Sequence, residues 1–217
     1  RAWGRTGMGA VMGSKNLKAI AVRGKRRPVA ADPERIKFYG RHGSAQMKAD
    51  AGMDEFGKYG TAATVMGNNS VGGLPTRNWS AGFFENAEPI DGVTLYDTIL
   101  KERDTCYSCA VRCKRVVESE YKGEKILPVY GGAEYENLAT LGSYCGVGDL
   151  QAVSLANQLC NAYGVDAIAA GATIAFAMDC FERGILTEAD TGGISLRFGD
   201  ADALLATLRT MLEREGF

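Results

Sequence analysis

The sequence predicts a mainly α-helical fold with little strand. Over much of the second half, apolar residues recur at helical spacing, and Asp149 and Asp166 each stand at the N-cap position of such a segment. Strand-like patterns are confined to residues 17–24 and to the two short segments around Lys122-Gly123. Because 46% of the 217 residues are hydrophobic, the chain can bury a sizeable core.

The first half of the chain is expected to contain one strand, one helix and a long irregular stretch. Residues 17–24 alternate and stop at Gly24, which indicates a strand. Asp32-Pro33 combines an N-cap with proline at the first helical position and predicts a helix to about Lys48. Residues 50–92 are rich in Gly and Asn and are expected to be mostly irregular. A loop as long as 68–79 is often functional.

The second half is expected to contain a short helix, a hairpin and three longer helices. A helix starts at Thr94 and runs toward a cysteine cluster, after which a hairpin turns at Lys122-Gly123. The middle long helix is apolar almost all round, so it is expected to be central and closely packed. The hairpin strands are predicted at 115–118 and 125–130, and the helices at 150–163, 167–183 and 200–215.

The most informative motif is a C-x2-C-x3-C run formed by Cys106, Cys109 and Cys113. Three thiols this close cannot all pair among themselves as disulfides, and such spacings are typical of iron–sulfur clusters held by Cys thiolates. A [4Fe–4S] cluster needs a fourth ligand, which the spacing leaves unassigned. Cysteines that merely pack or stay free are the alternative. A zinc site of four thiolates is disfavoured because the chain has no second C-x2-C.

Composition excludes several classes of function. The net charge of -1 gives no strong field to attract nucleic acid or an anionic membrane, and no apolar run reaches the ~18 residues of a membrane span. The basic runs at 25–27 and 114–115 are expected to be solvated surface, although the second could offset the charge of a cluster. Clustered cysteines without a signal peptide favour a reducing cytoplasm. A start at Arg1 without Met and a stop at Phe217 suggest a piece of a larger protein.

Two further segments are candidates for chemistry. The Gly-rich segment 7–15 fails the spacing of both common phosphate-loop motifs, yet beside Arg1 and Arg5 it suits an anionic group such as a cofactor phosphate. A plain tight turn is the equal alternative. The segment that holds Glu134 and Glu136 offers two carboxylates, either of which could transfer a proton if burial raises its pKa. Exposed glutamates are the usual case.

Four motifs, in order, resemble the aldehyde:ferredoxin oxidoreductase family of tungsten or molybdenum enzymes with a bis-pterin cofactor. They are the Gly-Ala-Val-Met-Gly-Ser-Lys-Asn-Leu-Lys-Ala segment at 9–19, the cysteine triplet, the Gly-Ala-Glu-Tyr-Glu segment at 132–136 and the Leu-Cys-Asn-Ala-Tyr-Gly-Val-Asp segment at 159–166. The resemblance covers nearly the whole chain. It implies that residues 1–28 end an N-terminal β domain, with its last strand region, and that 29–217 belong to a helical middle domain.

The resemblance also implies a set of cofactor ligands. Arg1 and Ala2 look like the pair that contacts pterin phosphate and its bridging magnesium. Cys106, Cys109 and Cys113 match three ligands of a [4Fe–4S] cluster, and the resemblance places the fourth beyond residue 217, which explains the missing ligand better than the other cysteines do.

The remaining site residues follow from two family motifs. Asn161, Gly164, Val165 and Asp166 fall on the pterin motif D-x-x-G-L-(C/D), with Asn in place of the first Asp and Val in place of Leu, so Asp166 is the safer contact. Spacing to this motif favours Glu136 as the active-site carboxylate, and Glu134 is the fallback.

The expected function is that of the family. A tungsten or molybdenum centre would oxidise an aldehyde to a carboxylic acid, and the cluster would pass electrons singly to a ferredoxin or similar carrier in the cytoplasm. One alternative is a benzoyl-CoA reductase-type tungsten subunit acting on a thioester. Another is a non-catalytic iron–sulfur electron-transfer module. Nucleic acid and membrane are not expected partners, and a homo-oligomer stays open.

Overall fold

The computed structural model describes residues 7–26 and 28–216, and over these residues the fold is mainly α-helical, as the sequence predicts. Four short 3-10 turns, at 60–63, 88–90, 128–130 and 143–145, link the longer elements. The helices are α1 (Met8–Ser14), α2 (Pro33–Ala49), α3 (Ala51–Tyr59), α4 (Thr64–Ser70), α5 (Gly92–Thr98), α6 (Tyr135–Leu141), α7 (Leu150–Tyr163), α8 (Ala167–Glu182) and α9 (Ala201–Glu213), and the strands are β1 (Leu100–Asp104), β2 (Lys114–Val117), β3 (Ser119–Tyr121) and β4 (Glu124–Ile126).

Helix α7 is the centre of the core. It is buried on nearly every side from Leu150 to Cys160, with α6, α8, α9 and the β3–β4 hairpin around it. The sequence favoured α8 for this place because α8 is apolar almost all round. In the structure α8 buries one face, and Phe176 on its other side is 60% exposed. Helix α7 becomes central although it carries polar residues, because Asn157 and Gln158 find hydrogen-bond partners inside the core.

A close helix crossing joins α6 to α8. Gly171 of α8 lies so near α6 that a Cβ atom there would stand 2.5 Å from the carbonyl oxygen of Thr140. The thiol of Cys145 donates to the carbonyl oxygens of Thr140 at 3.3 Å and Gly171 at 3.5 Å. The small residue therefore lets the two backbones approach and leaves room for a buried thiol between them.

The helix starts were well predicted where an aspartate marks them. Asp32, Asp149, Asp166 and Asp200 each accept a hydrogen bond from a backbone N–H in the first turn of the following helix. Each cap satisfies a donor that the helix itself leaves unpaired. The helix predicted from Thr94 is also present, but it begins earlier, because Asp91 is its cap.

The strand expected at residues 17–24 is absent from the described chain. Residues 17–26 are exposed and have no regular secondary structure, and the residues before them form the short helix α1. A strand needs a neighbour to satisfy its backbone hydrogen bonds, and these residues pair with no other described segment. Alternating apolar residues alone therefore did not determine the conformation.

The stretch 50–92 is more ordered than predicted. Asp50 caps α3 by accepting from the backbone N–H of Met53 at 2.9 Å, and α3 continues through a 3-10 turn into α4. The glycines that suggested loop here include Gly57 and Gly60, and both serve close packing instead. Within this stretch, only the residues after Ser70 are mainly irregular. They are anchored to the end of α4 by Asn69, whose side chain accepts a hydrogen bond from the backbone N–H of Phe84 and donates one to its carbonyl oxygen.

Two hairpins replace the single hairpin that the sequence predicts after Cys113. The turn at Lys122-Gly123 is correct, and it joins β3 to β4. Strand β2, however, pairs with the preceding strand β1 and not with the segment that follows it. The pairing is antiparallel, and Arg115 stands opposite Arg103. The cysteine triplet is thereby enclosed in the connection between two paired strands. No helix in the described residues is long and apolar enough to cross a membrane.

We expect Gly171→Ala to lower stability. Glycine-to-alanine changes in helices usually stabilise by about 0.5–1 kcal/mol, but here the added methyl group would meet the backbone of α6, an overpacking cost of about 1–3 kcal/mol. Thermal unfolding of the purified protein measures the effect. Gly43→Ala is the matched control, since nothing lies within 4 Å of a Cβ atom there. A G171A variant as stable as G43A would contradict the tight α6–α8 crossing.

Candidate metal centre and acid–base site

The three clustered cysteines lie on one loop, which spans residues 105–113 between β1 and β2 (the cysteine loop). Cys106 is exposed, Cys109 and Cys113 are half-buried, and none of them is in a disulfide. The strands that flank the loop are held by the pairing of Asp104 with Lys114. The thiols therefore remain available as ligands at the end of a braced hairpin.

Local hydrogen bonds shape the cysteine loop. The backbone N–H of Cys109 donates to the carbonyl oxygen of Cys106 at 3.1 Å, which closes a tight turn, and the hydroxyl of Thr105 donates to the carbonyl of Cys109 at 2.8 Å. Ser108 and Arg112 both have φ of 56°, a left-handed conformation that non-glycine residues seldom adopt. Such backbone conformations are held by surrounding contacts and cluster at functional sites.

The three thiols of the cysteine loop are the type of ligand that an iron–sulfur cluster uses, but a [4Fe–4S] cluster needs four. Thiolates on short spacings are the ligands that such clusters use, and the loop offers three. Among residues 7–26 and 28–216, no group of three His, Cys, Asp or Glu side chains is already gathered for a metal ion. The loop thus supplies suitable ligands without forming a complete centre by itself.

The other cysteines are poor candidates for the fourth ligand. Cys145 and Cys160 are fully buried in the helical core, and burial raises the pKa of both thiols, that of Cys160 to about 12. Since the thiolate is the form that binds metal, this environment opposes ligation. Cys180 is half-buried on α8, where it lies on the helix rather than on a loop.

Two arginines hold the cysteine loop from the side of the strands. Arg103 on β1 donates from Nη2 to the carbonyl of Val111 at 3.2 Å, and Arg115 on β2 donates from Nη1 to the carbonyl of Cys113 at 2.8 Å. Gly60 makes room for the second of these side chains: its Cβ would lie 1.1 Å from Nη1 of Arg115. The C-terminal end of the cysteine loop is therefore held by hydrogen bonds from these two side chains as well as by the strand pairing.

Arg115 is fully buried, whereas its sequence context predicts a solvated basic residue. The expectation of a solvated basic run is correct for Lys114 and wrong for Arg115, whose side chain is 0% exposed. Strand alternation could have revealed it, because Arg115 is two residues from the buried Val117 and so lies on the same face of β2. Its Nε atom has no hydrogen-bond partner among the described residues.

Glu134 is the acidic partner of Arg115. Nη2 of Arg115 lies 2.8 Å from a carboxylate oxygen of Glu134 and donates to the carbonyl of Ala133 at 3.3 Å. The hydroxyl of Thr61 donates to the same carboxylate and accepts from the backbone N–H of Tyr135 at 2.9 Å. Glu134 is thus bound from two directions at the residue that precedes α6. This structural task competes with a role in proton transfer.

Glu136 occupies a different environment. It lies in the first turn of α6 and is exposed, so the burial that would tune a proton-transfer group is not provided by the described residues. Its carboxylate stays available for a substrate, whereas that of Glu134 is engaged. The roles assigned to both glutamates remain predictions.

The segment that matches the pterin motif forms the junction between α7 and α8. Gly164 ends α7 in a left-handed conformation, and the backbone N–H of Val165 donates to the carbonyl of Cys160 at 2.9 Å. Asp166 then caps α8 by accepting from Ile168 and Ala169. The capping role is a structural reason for an aspartate here, beside the predicted cofactor contact.

Asn161 links this junction to the chain just before the segment 132–136 that holds Glu134 and Glu136 (the acidic segment). Its side-chain amide donates to the carbonyl of Tyr130 at 3.0 Å, in the 3-10 turn that precedes Glu134. A hydrogen bond between Asn137 and Asn157 joins α6 to α7 nearby. The structure therefore connects the cysteine loop to the acidic segment through Arg115, and the acidic segment to the pterin-motif segment through Asn161.

The predicted phosphate-binding segment is described only from Gly7 onward. Arg1, Ala2 and Arg5 lie outside the described residues. The Gly-rich segment that follows them is α1, preceded by Gly7 with φ of 71°. A helix thus replaces the tight turn that was the alternative for this segment.

Comparison with known proteins relates the chain to one family over almost its full length. A family model described as aldehyde ferredoxin oxidoreductase, domains 2 and 3, matches residues 39–217, and the model of the N-terminal domain matches residues 1–24. The tungsten-containing aldehyde ferredoxin oxidoreductase of Pyrococcus abyssi is 39% identical over 224 residues, which cover 100% of this chain and 36% of the relative. That of Pyrococcus furiosus is 36% identical over 219 residues, covering 100% and 35%.

A solved structure shares the fold at lower identity. The active-site complex BamBC of benzoyl coenzyme A reductase, in complex with 1,5-dienoyl-CoA, superposes with a TM-score of 0.65 and 22% identity, over 98% of this chain and 33% of that chain. The chain spans about a third of the length of the proteins that it matches. On the extent of the family match and the identity to tungsten-containing relatives, the chain belongs to the aldehyde ferredoxin oxidoreductase family.

Proposed function

We propose that this chain is the central part of a cytoplasmic tungsten or molybdenum pterin oxidoreductase that converts aldehydes to carboxylic acids and passes the electrons through a [4Fe–4S] cluster to a ferredoxin. The observation that carries the proposal is the connection of three free cysteines, through Arg115, to the Glu-Tyr-Glu segment. It occurs in a chain that is 36–39% identical to tungsten-containing aldehyde ferredoxin oxidoreductases.

The residues divide the work in the following way. Cys106, Cys109 and Cys113 would supply three of the four thiolate ligands of the cluster, and the fourth would come from outside residues 1–217. When bound, the pterin-held metal supplies the two-electron oxidation of an aldehyde and water to an acid and two protons. Glu136 would accept one of these protons, since its carboxylate is accessible whereas that of Glu134 is paired with Arg115.

The cofactor itself is held by residues at two places. Arg1 and Ala2 would contact the pterin phosphate and its magnesium, with Arg5 as a further cation. Asn161, Gly164, Val165 and Asp166 would bind the pterin at the junction of α7 and α8, with Asp166 as the safer contact. Asn161 orients this junction through its hydrogen bond to Tyr130.

The alternative substrate class is an aromatic thioester. The superposition on a benzoyl coenzyme A reductase complex shows a common fold, and a common fold does not specify the substrate. The higher identity to aldehyde-oxidising relatives favours aldehydes. An electron-transfer module without tungsten would not need the Gly-rich N-terminal segment. The division of the chain at residues 28 and 29 is part of the same proposal.

The metal content of the complete gene product, purified without oxygen, tests the class of enzyme. We expect about four iron and about four acid-labile sulfide per chain, as a [4Fe–4S] cluster requires, together with one tungsten or molybdenum. Iron and sulfide without either heavy metal would indicate the electron-transfer module. Assays with an aldehyde and with benzoyl-CoA then separate the two substrate classes.

Replacing Cys109 with Ser in the complete protein should abolish the iron–sulfur absorption while pterin and tungsten stay bound. The reason is that a hydroxyl does not replace a thiolate as a cluster ligand at neutral pH. Visible absorption and iron analysis measure the loss. Cys180→Ser is the matched control, because this half-buried cysteine lies on α8 and should leave the iron content unchanged. Unaltered iron in C109S would remove Cys109 from the ligand set.

Replacing Glu136 with Gln should lower the turnover number by about 10²–10⁴, the usual contribution of a general base, without loss of metal. Glu120→Gln is the control, since Glu120 is an exposed glutamate on β3. Steady-state assays with an aldehyde measure both variants. Full activity of E136Q would transfer the proposed role to Glu134 or to a residue elsewhere.

A further inference from the structure

The buried guanidinium of Arg115 lies between the cysteine loop and the start of α6, and nothing in the family resemblance assigns it a task. We propose that Arg115 is a positioning residue that fixes the Cys113 end of the loop and, with its positive end toward the cluster, raises the cluster's reduction potential. The inference rests on the proposed function, because it presupposes a cluster on Cys106, Cys109 and Cys113.

The first support is that the guanidinium of Arg115 lies on the side of the ion pair that faces the cysteine loop. Nη1 of Arg115 faces the carbonyl of Cys113 at 2.8 Å, whereas the carboxylate of Glu134 is bound by Nη2. The cation therefore stands between the cysteine loop and the anion. In a buried place such a charge is weakly screened, so it acts on a nearby redox group more strongly than a surface charge does.

The second support is the space made for the guanidinium. Gly60 has φ of 59° and ψ of −151°, a conformation that is essentially restricted to glycine, and its Cβ would lie within 2.7 Å of the carbonyl of Cys113 as well as against Arg115. The side chain is 0% exposed although Nε lacks a described partner. Keeping a cation buried with one donor unpaired is costly, so the surrounding structure must hold this side chain in place.

The third support is a second cation in the same place. Arg103 stands directly opposite Arg115 in the β1–β2 register and donates to the carbonyl of Val111. Like charges opposite each other on paired strands repel. Glu134 offsets the charge of Arg115, and Asp54 interacts electrostatically with Arg103. A thiolate-bound cluster, whose net charge and hydrogen bonds set its potential, would be a further negative group beside these two cations.

A redox titration of the complete protein, followed by electron paramagnetic resonance, tests this role. Arg115→Met should lower the potential, because it removes the cation and leaves the carboxylate of Glu134. Glu134→Gln should raise it, and the double variant should lie between the two. We expect each single change to alter the ratio of reduced to oxidised cluster at a fixed potential by about tenfold, which is 59 mV for one electron.

Lys114→Met is the matched control, since it removes the neighbouring positive charge from a side chain that is 49% exposed and therefore screened by solvent. Iron content and thermal unfolding are measured for every variant. If R115M loses its iron or does not fold, E134Q decides, because it keeps the arginine and the shape of the carboxylate.

The outcomes are distinguishable from failure of the proposed function. A wild-type protein without iron and sulfide overturns both proposals before any variant is made. With a cluster present, a shift in R115M no larger than that in K114M overturns the role of Arg115. A downward shift in E134Q does so too, since a purely structural role would perturb the loop in the same direction whichever partner is changed.

Discussion

The ion pair between buried Arg115 and Glu134 is the interaction on which the arrangement of the site depends. It joins three segments that the chain order would leave separate, namely the end of the cysteine loop, the residue before α6 and the 3-10 turn that holds Thr61. Removing Glu134 would leave the buried guanidinium without its acidic partner, and an uncompensated buried charge is strongly unfavourable. The geometry of the loop and the start of α6 are therefore set together.

The helical core supports this arrangement from the other side. Helix α7 is enclosed by its neighbours, and its polar residues are used as internal connectors: Gln158 accepts from the backbone of Leu127 and donates to that of Lys125, and Asn157 bonds to Asn137 of α6. Buried polar groups that are satisfied in this way specify one packing more strongly than apolar contacts alone. The acidic segment is thus fixed relative to the junction that matches the pterin motif.

The sequence predicted those parts of the molecule whose information is local. Caps such as Asp149 and Asp166 determine where helices begin, and the cysteine spacing identifies the loop. Features that depend on distant partners were missed: the strand at 17–24 has no described neighbour, and β2 pairs with β1 instead of the following segment. Alternation with Val117 hints that Arg115 faces inward, but the space for its guanidinium depends on Gly60, which is 55 residues away in the chain, so no window of sequence shows that contact.

Gly60 has a consequence for how related sequences can diverge. The position allows neither a Cβ atom, because of the guanidinium and the Cys113 carbonyl, nor the backbone conformation of another residue. Loss of Arg115 would remove the clash with the guanidinium, but neither the clash with the Cys113 carbonyl nor the need for this backbone conformation. Substitutions at 60 therefore require a rebuilt turn as well as a different residue at 115, and homologues should keep this glycine and this arginine together or replace the whole connection between α3 and α4.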